Sequence, residues 1–285
     1  MSKFEKIFVE ITNFCGLSCK FCTPKKSNDK MPLLLFEKIC NDIYPHTKLC
    51  ALHILGDPLS LDNIEEYIKI AKNKNLNLEI TSSGFYLDTH TQNILLKYNN
   101  IKQINISLTS AIYQNKDINL DSYFQNIFSL CAKHKELKSE TFINLRLWNL
   151  DSNFKAPDIN QTIYKILEEH FKIRIHNHKT KLSYKIHLIQ KSFFSWEFKD
   201  KEQLHGKCYG TISQLGILTS GVVVPCCFCT KGEINLGDIG KNSLLDIINN
   251  QKTQKIKQGF LNNLRVESIC QKCSYPNYIS NVKNA

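Results

Sequence analysis

Three cysteines stand close together near the start of the chain, in Thr12-Asn13-Phe14-Cys15-Gly16-Leu17-Ser18-Cys19-Lys20-Phe21-Cys22. The spacing is CxxxCxxC. Zinc takes four ligands, usually as CxxC pairs, and no fourth ligand lies nearby in sequence. A cubane iron–sulfur cluster is fully held by four cysteines, so three leave one iron open to a substrate or cofactor. A second group lies near the end of the chain: Cys208, Cys226, Cys270 and Cys273. Cys208 and Cys226 flank a predicted apolar hairpin, with strands at 215–219 and 222–225 and a Ser220-Gly221 turn. Cys270 and Cys273 form a CxxC after a helix predicted over 243–257. Four cysteines close a complete site, which by spacing alone suits zinc as well as iron–sulfur. Cys227 and Cys229 are either substitutes in that ligand set or plain thiols on the hairpin edge.

The elements that must position these thiols alternate. Strands are predicted at 6–12, 51–55, 77–82, 102–107 and 141–147. Helices are predicted at 33–44, 61–74, 89–99, 122–134 and 158–171. Within 61–74, Ile64, Tyr67, Ile68 and Ala71 fall at i, i+3, i+4 and i+7, one face of a helix. Asp158, just after Pro157, is the expected N-cap of the fifth helix. Five strand–helix units in a row imply a parallel α/β sheet with helical crossovers, which places ligands on the loops after the strands. Those loops follow Thr12, Leu55, Ser82, Ser107 and Leu147. Beyond about Phe171 the pattern changes to short strands at 173–175 and 185–189. A connector at 191–203 follows, rich in aromatics (Phe193, Phe194, Trp196, Phe198). A domain boundary is expected near residue 200, giving domains 1–200 and 201–285.

Composition narrows the classes. The chain has 285 residues, 42% hydrophobic and 22% charged, an ordinary globular balance that argues against disorder. No run approaches the roughly 18 apolar residues of a membrane span, and the first residues lack the apolar core of a signal peptide. A cytoplasmic location and no membrane partner are expected. Twelve cysteines in a reducing compartment point to metal or catalysis rather than disulfides. Cys40, Cys50 and Cys131 fall in or beside predicted core elements, where small apolar thiols are at home. The net charge is +11, but only Arg146, Arg174 and Arg265 of the 37 basic residues are arginine. Arginine is the preferred reader of phosphate and guanine, so nucleic acid is a less favoured partner.

CxxxCxxC with an aromatic before its last cysteine, on the first βα loop, resembles the radical S-adenosylmethionine (radical SAM) superfamily. The resemblance implies a partial (β/α)6 TIM-like barrel. It implies that Cys15, Cys19 and Cys22 hold a 4Fe–4S cluster whose open iron chelates S-adenosylmethionine. Reductive cleavage would then release a 5′-deoxyadenosyl radical that takes hydrogen from a substrate. Other loops match position by position. Leu55-Gly56-Asp57-Pro58 falls where the family carries Gly-Gly-Glu-Pro, with Leu55 for the first Gly and Asp57 for the Glu. Thr81-Ser82-Ser83-Gly84 resembles the family's Thr-Asn-Gly segment. Ser107 ends the fourth strand where related enzymes place a serine near S-adenosylmethionine. Arg146 in the fifth strand supplies a cation for its carboxylate, with Asn149 a further polar candidate. Phe21, Gly56, Asp57, Ser83, Ser107 and Arg146 are thus the expected cofactor contacts.

The C-terminal segment resembles the SPASM auxiliary-cluster domain and its shorter twitch form. Gly221 precedes Cys226, a glycine turn lies at Leu236-Gly237-Asp238-Ile239, and a helix follows. With no cysteine after Cys273, the match is to the single-cluster form, a hairpin plus helix with Cys208, Cys226, Cys270 and Cys273 as ligands of an auxiliary 4Fe–4S cluster. The resemblance implies a peptide or protein side chain as substrate, or alternatively a small molecule, nucleotide or RNA. It also implies a reducing partner such as flavodoxin or ferredoxin. Tyr86, Trp148, Tyr209 and Phe228 are candidate substrate linings. A reading from another class is a metal-carrying, lysine-rich RNA-binding module without enzymatic activity.

Overall fold

In the computed structural model, residues 4–22, 27–114, 118–176, 178–194 and 201–283 are described. Trp196 and Phe198 of the expected connector, and the expected boundary at residue 200, lie outside them. The chain forms two compact units. One comprises Met1–Cys15, Thr23–Leu78 and Ser195–Ala285, and the other Gly16–Cys22 and Glu79–Phe194. Among the described residues no helix is long and apolar enough to cross a membrane.

The first unit opens with β1 (Lys6–Val9), α1 (Leu33–Ile43), β2 (Leu49–Leu52) and α2 (Ile64–Asn73), and then the start of β3 (Asn77–Ser82). α1 buries Phe36, Ile39, Cys40 and Ile43, the i, i+3, i+4, i+7 set of one helical face. Each such large apolar side chain contributes about 2 kcal/mol by leaving water. α2 buries the expected Ile64, Tyr67, Ile68 and Ala71. It starts three residues later than the expected 61, at Ile64, where that periodic set begins. Pro58–Ser60 forms a separate 3-10 turn, capped by the Asp57 side chain accepting from Leu59 N. The Tyr67 hydroxyl donates to Met31 O, satisfying a buried polar tip.

The second unit continues with β3, α3 (Thr89–Lys97), β4 (Ile101–Ser107), α4 (Thr109–Ile112), α5 (Leu120–Glu136), β5 (Phe142–Leu150), α6 (Ile159–Phe171), β6 (Lys179–Ser183) and β7 (Ile186–Ser192). Its strands lie in the order β3-β4-β5-β7-β6. β4–β5 and β5–β7 are parallel, while β6 forms an antiparallel hairpin with β7. The short strand expected at 173–175 is not formed, and β6 takes its place further on. Asp158 does precede the first residue of α6, but its own backbone is already helical and its side chain makes no capping bond. The turn bonds Asn160 N→Pro157 O and Gln161 N→Asp158 O start the coil before it, which removes the extended geometry an N-cap needs. Cys131 on α5 is buried, as are Cys40 and Cys50 of the first unit.

The chain then returns to the first unit with β8 (Gln214–Ile217), β9 (Val222–Val224), β10 (Gly237–Asp238), α7 (Leu244–Asn249), α8 (Gln251–Leu261), α9 (Ser268–Lys272) and α10 (Tyr275–Lys283). The expected hairpin is β8–β9. β8 also pairs parallel with β1, Lys6 opposite Gln214 through Val9 opposite Ile217. The strand order in this unit is therefore β10-β9-β8-β1-β2, and the C-terminal hairpin extends the N-terminal sheet. The single helix expected over 243–257 is two helices. Asn250 is extended, ends α7, and caps α8 by accepting from Thr253 N.

Candidate iron–sulfur and cofactor sites

In the first unit, the segment leading to Cys15 is clasped on two sides. Thr12 Oγ1 donates to Asp29 O at 3.0 Å, and Asn13 Nδ2 donates to Asp29 Oδ2 at 2.8 Å while Asp29 N returns a bond to Asn13 Oδ1 at 2.8 Å. On the other side Asp57 N donates to Phe14 O at 2.8 Å. Gly56 has φ +73°, and a Cβ there would lie 2.3 Å from Thr12 O. Only glycine fits such an approach. Asp57 is 1% exposed, and its carboxylate is engaged by Leu59 N at 3.0 Å. The sequence did not single out Glu10, which is also 1% exposed. Its two carboxylate oxygens accept from Leu55 N and Thr219 N, each at 3.3 Å, and so tie the loops after β2 and β8 together.

In the second unit, Cys19 and Cys22 are joined by a turn, Cys22 N donating to Cys19 O at 3.1 Å. Burial, with the neighbouring Cys19 adding to it, raises the Cys22 thiol pKa to about 11. Burial also raises Cys19, against which Gln114 works. Gln114 Nε2 donates to Cys19 Sγ at 2.9 Å, and its Oε1 accepts from Ser18 N at 3.1 Å. A single glutamine thus straps the thiol loop, a role with no sequence signal because the partners are about 95 residues apart. Phe21 packs edge-on to Tyr113 with ring centroids 6.1 Å apart.

One face of the β3-β4-β5-β7 strands in this unit is polar. Asn105 Nδ2 donates to Glu79 Oε1 at 3.0 Å and Thr81 Oγ1 at 3.3 Å, and Asn144 Nδ2 donates to Asn105 Oδ1 at 3.1 Å. Ser107 and Arg146 are opposite each other in register on β4 and β5. Arg146 Nη2 sits 3.4 Å from Glu79 Oε1, and its guanidinium lies over the Trp148 ring at 5.1 Å. Burial lowers the Arg146 pKa to about 10, and Glu79 opposes that shift. Trp148 is 38% exposed. Ser83 is buried at the end of β3, and its carbonyl accepts from the Tyr123 hydroxyl at 2.8 Å. Asn149 exchanges reciprocal amide bonds with Asn160 at 2.7 and 3.0 Å, so its polar atoms are spent on holding α6 to β5.

The C-terminal cysteines lie wholly within the first unit. Cys208, Cys226, Cys270 and Cys273 line one cavity of about 30 Å³, with Cys229, Phe228 and Tyr275 also on its wall. Cys227 lies outside that lining. Burial pushes the Cys208 thiol up to about 11 and raises Cys226, Cys270 and Cys273 as well. Thiols so buried are protonated until a metal displaces the protons. Cys229 Sγ donates to Glu233 Oε2 at 3.4 Å and accepts from Ile234 N at 3.2 Å. Among the described residues no three His, Cys, Asp or Glu side chains converge on a single-ion site. Four cysteines on one cavity wall are the number that a complete iron–sulfur or zinc site takes.

Residues 208–274 match the family model of SPASM, an iron–sulfur cluster-binding domain. This segment is a SPASM domain. No curated protein sequence matches the chain. Among solved structures, the chain is similar to BtrN in complex with AdoMet and 2-DOIA, with 15% identity, 96% of this chain and 94% of that chain covered, and TM-score 0.62. It is similar to Streptococcus suis SuiB bound to S-adenosylmethionine, with 13% identity, coverage of 98% and 75%, and TM-score 0.61. It is also similar to anSMEcpe with bound AdoMet and Cp18Cys peptide, with 14% identity, coverage of 98% and 99%, and TM-score 0.60. At such identities the likeness is one of fold, namely the α/β partial barrel of radical SAM enzymes joined to a SPASM domain. The zinc alternative for the C-terminal site gives way to the iron–sulfur one.

Proposed function

We propose that the chain is a radical SAM enzyme. The observation that carries this reading is a SPASM domain on the radical SAM fold whose first βα loop bears CxxxCxxC. In this reading Cys15, Cys19 and Cys22 ligate a 4Fe–4S cluster that binds S-adenosylmethionine. Cys208, Cys226, Cys270 and Cys273 ligate the auxiliary 4Fe–4S cluster. Held at the first of these sites and reduced, the cluster and S-adenosylmethionine would supply radical hydrogen-abstraction chemistry.

The chain's own residues do the rest. Gly56 offers backbone without a side chain beside the Thr12–Asn13 peptide, and Asp57, its carboxylate engaged by Leu59 N, contributes through its main chain. Ser83, Ser107 and Arg146 offer a hydroxyl pair and a cation to the cofactor's ribose and carboxylate, and Phe21 packs beside the cluster loop. Gln114 holds the Cys19 thiolate by a hydrogen bond, a contact that also tunes such clusters. Residues 1–200 form the barrel and 201–285 the auxiliary domain. A flavodoxin- or ferredoxin-type protein supplies the electron in the reducing cytoplasm, where cysteines are kept out of disulfides.

The favoured substrate is a peptide or protein side chain. The similarity to SuiB bound to precursor peptide SuiA and to anSMEcpe with its peptide supports this. A small-molecule substrate is the second reading, favoured by the similarity to BtrN with 2-DOIA. Under anaerobic reduction with dithionite, the wild-type protein is expected to form 5′-deoxyadenosine from S-adenosylmethionine. The variant with Cys15, Cys19 and Cys22 all changed to Ala is expected to form none. Equal yields from the two proteins would refute the reading.

A further inference from the structure

Arg265 heads the largest fully buried side chains among the described residues, 1% exposed, between α8 and α9 of the SPASM domain. Its backbone is fixed: Arg265 N donates to Leu204 O at 2.8 Å, and Gln271 Nε2 donates to Arg265 O at 2.8 Å. The guanidinium donates from Nη1 to Cys273 O at 3.2 Å and from Nη2 to Asn277 Oδ1 at 3.3 Å. Both acceptors are neutral. Its Nε is buried and has no partner among the described residues. The opposite side of the group rests on Gly206, two residues before Cys208. There φ is +152°, and a Cβ would stand 2.2 Å from Nη2. The guanidinium is therefore pressed between the segments that carry Cys208 and Cys273. A buried cation is costly unless an anion answers it, and a cysteine-ligated centre is an anion borne by both of the segments that the guanidinium touches.

We propose that Arg265 is a positioning residue for the auxiliary cluster, whose fixed positive charge raises the cluster's reduction potential. The proposal rests on the iron–sulfur reading of the SPASM domain. One-electron reduction adds a negative charge to a site already holding four thiolates. A cation fixed beside two of the ligand segments, in a low-dielectric interior, stabilises that reduced form. Hydrogen bonding to the Cys273 carbonyl alone would order the loop without moving the potential in step with charge.

The test uses the full chain with Cys15, Cys19 and Cys22 changed to Ala, so that only the auxiliary cluster remains. Iron is counted, and the midpoint potential is read by EPR-monitored redox titration. Arg265→Gln is expected to make reduction at least tenfold less favourable, about 59 mV more negative for one electron. Arg265→Lys, which keeps the charge and loses the fork, is expected to retain most of the parent potential. Asn277→Asp, which sets a carboxylate against the intact guanidinium, is expected to lower the potential in the same direction, and it decides the question if Arg265→Gln does not retain iron. An unchanged potential in an iron-loaded Arg265→Gln or Asn277→Asp protein overturns the proposal. So does an equal shift in Arg265→Gln and Arg265→Lys, which would mark a packing effect. If the parent triple variant holds zinc or no iron, it is the cluster reading that fails.

Discussion

Gly56 illustrates how a single position carries both the fold and the site. Any Cβ there meets Thr12 O at 2.3 Å and must also adopt φ +73°. Gly56→Ala is therefore expected to destabilise the protein by about 1–3 kcal/mol from backbone strain alone. Chemical denaturation measures that loss. Arg146 makes a second residue-scale case. Its ion pair with Glu79 is largely buried, so Arg146→Met strands a carboxylate and is expected to cost about 3 kcal/mol. Adding Glu79→Gln to Arg146→Met should recover part of the loss, and a double variant no more stable than the single one would show that the pair is not what matters. The cysteine spacing and Gly56 were legible because they are local patterns. Gln114, Glu10 and Arg265 were not, since each acts on a partner distant in sequence or through burial that one chain position does not reveal.

At the scale of elements, β3 was read to the residue, because Asn77–Ser82 is bounded by a helix end and a Ser-Gly breaker. The segment 243–257 was read as one helix across Asn250, since no Gly or Pro interrupts it. The structure breaks it there, since the Asn250 side chain accepts from Thr253 N at 2.8 Å and donates to Leu236 O at 2.7 Å. Asn250→Ala is expected to cost about 1 kcal/mol by loss of that cap, read as a lower denaturant midpoint at unchanged slope. α5 makes a pH prediction. His134 is fully buried, bonded through Nε2 to Thr141 O at 2.7 Å, with no partner on Nδ1 among the described residues. Burial lowers its pKa from 6.5, and His170 and His187 shift the same way for the same cause. Above pH 6.5 folded and unfolded forms are both neutral there, and stability is unaffected. Below it the unfolded chain binds the proton first, so stability falls as pH drops toward the folded value. Unfolding curves between neutral and mildly acidic pH should follow that slope, and His134→Gln should flatten it.

For the whole molecule, the pairing of β8 with β1 matters most. The C-terminal hairpin is hydrogen-bonded along the first strand of the chain. Removal of residues from 207 onward leaves β1 with an open edge, a template for aggregation. A chain ending at residue 206 is expected to elute as aggregate in size-exclusion chromatography, and a monodisperse, cooperatively unfolding product would contradict that. Metal counting works at the same scale. Anaerobic reconstitution is expected to give about eight irons per chain as two cubanes, and about four when either cysteine set is changed to Ala.

The sequence by itself determined the alternation of strands and helices, the CxxxCxxC on the first βα loop, and the four-cysteine set that the SPASM match spans. Spacing, periodicity and breakers are local, so one chain suffices to read them. Only the tertiary structure decided that the C-terminal hairpin continues the sheet of β1. It also decided that Arg146 faces Glu79, that Asn149 is spent on Asn160, and that Cys229 and not Cys227 lines the auxiliary cavity. Each of these depends on which distant segments burial brings into contact, and side chains of one type read alike until their neighbours are known. Arg265 shows the difference most plainly: in sequence it is one of three scarce arginines, and in the fold it is a buried cation pressed against the backbone of the segments that carry Cys208 and Cys273.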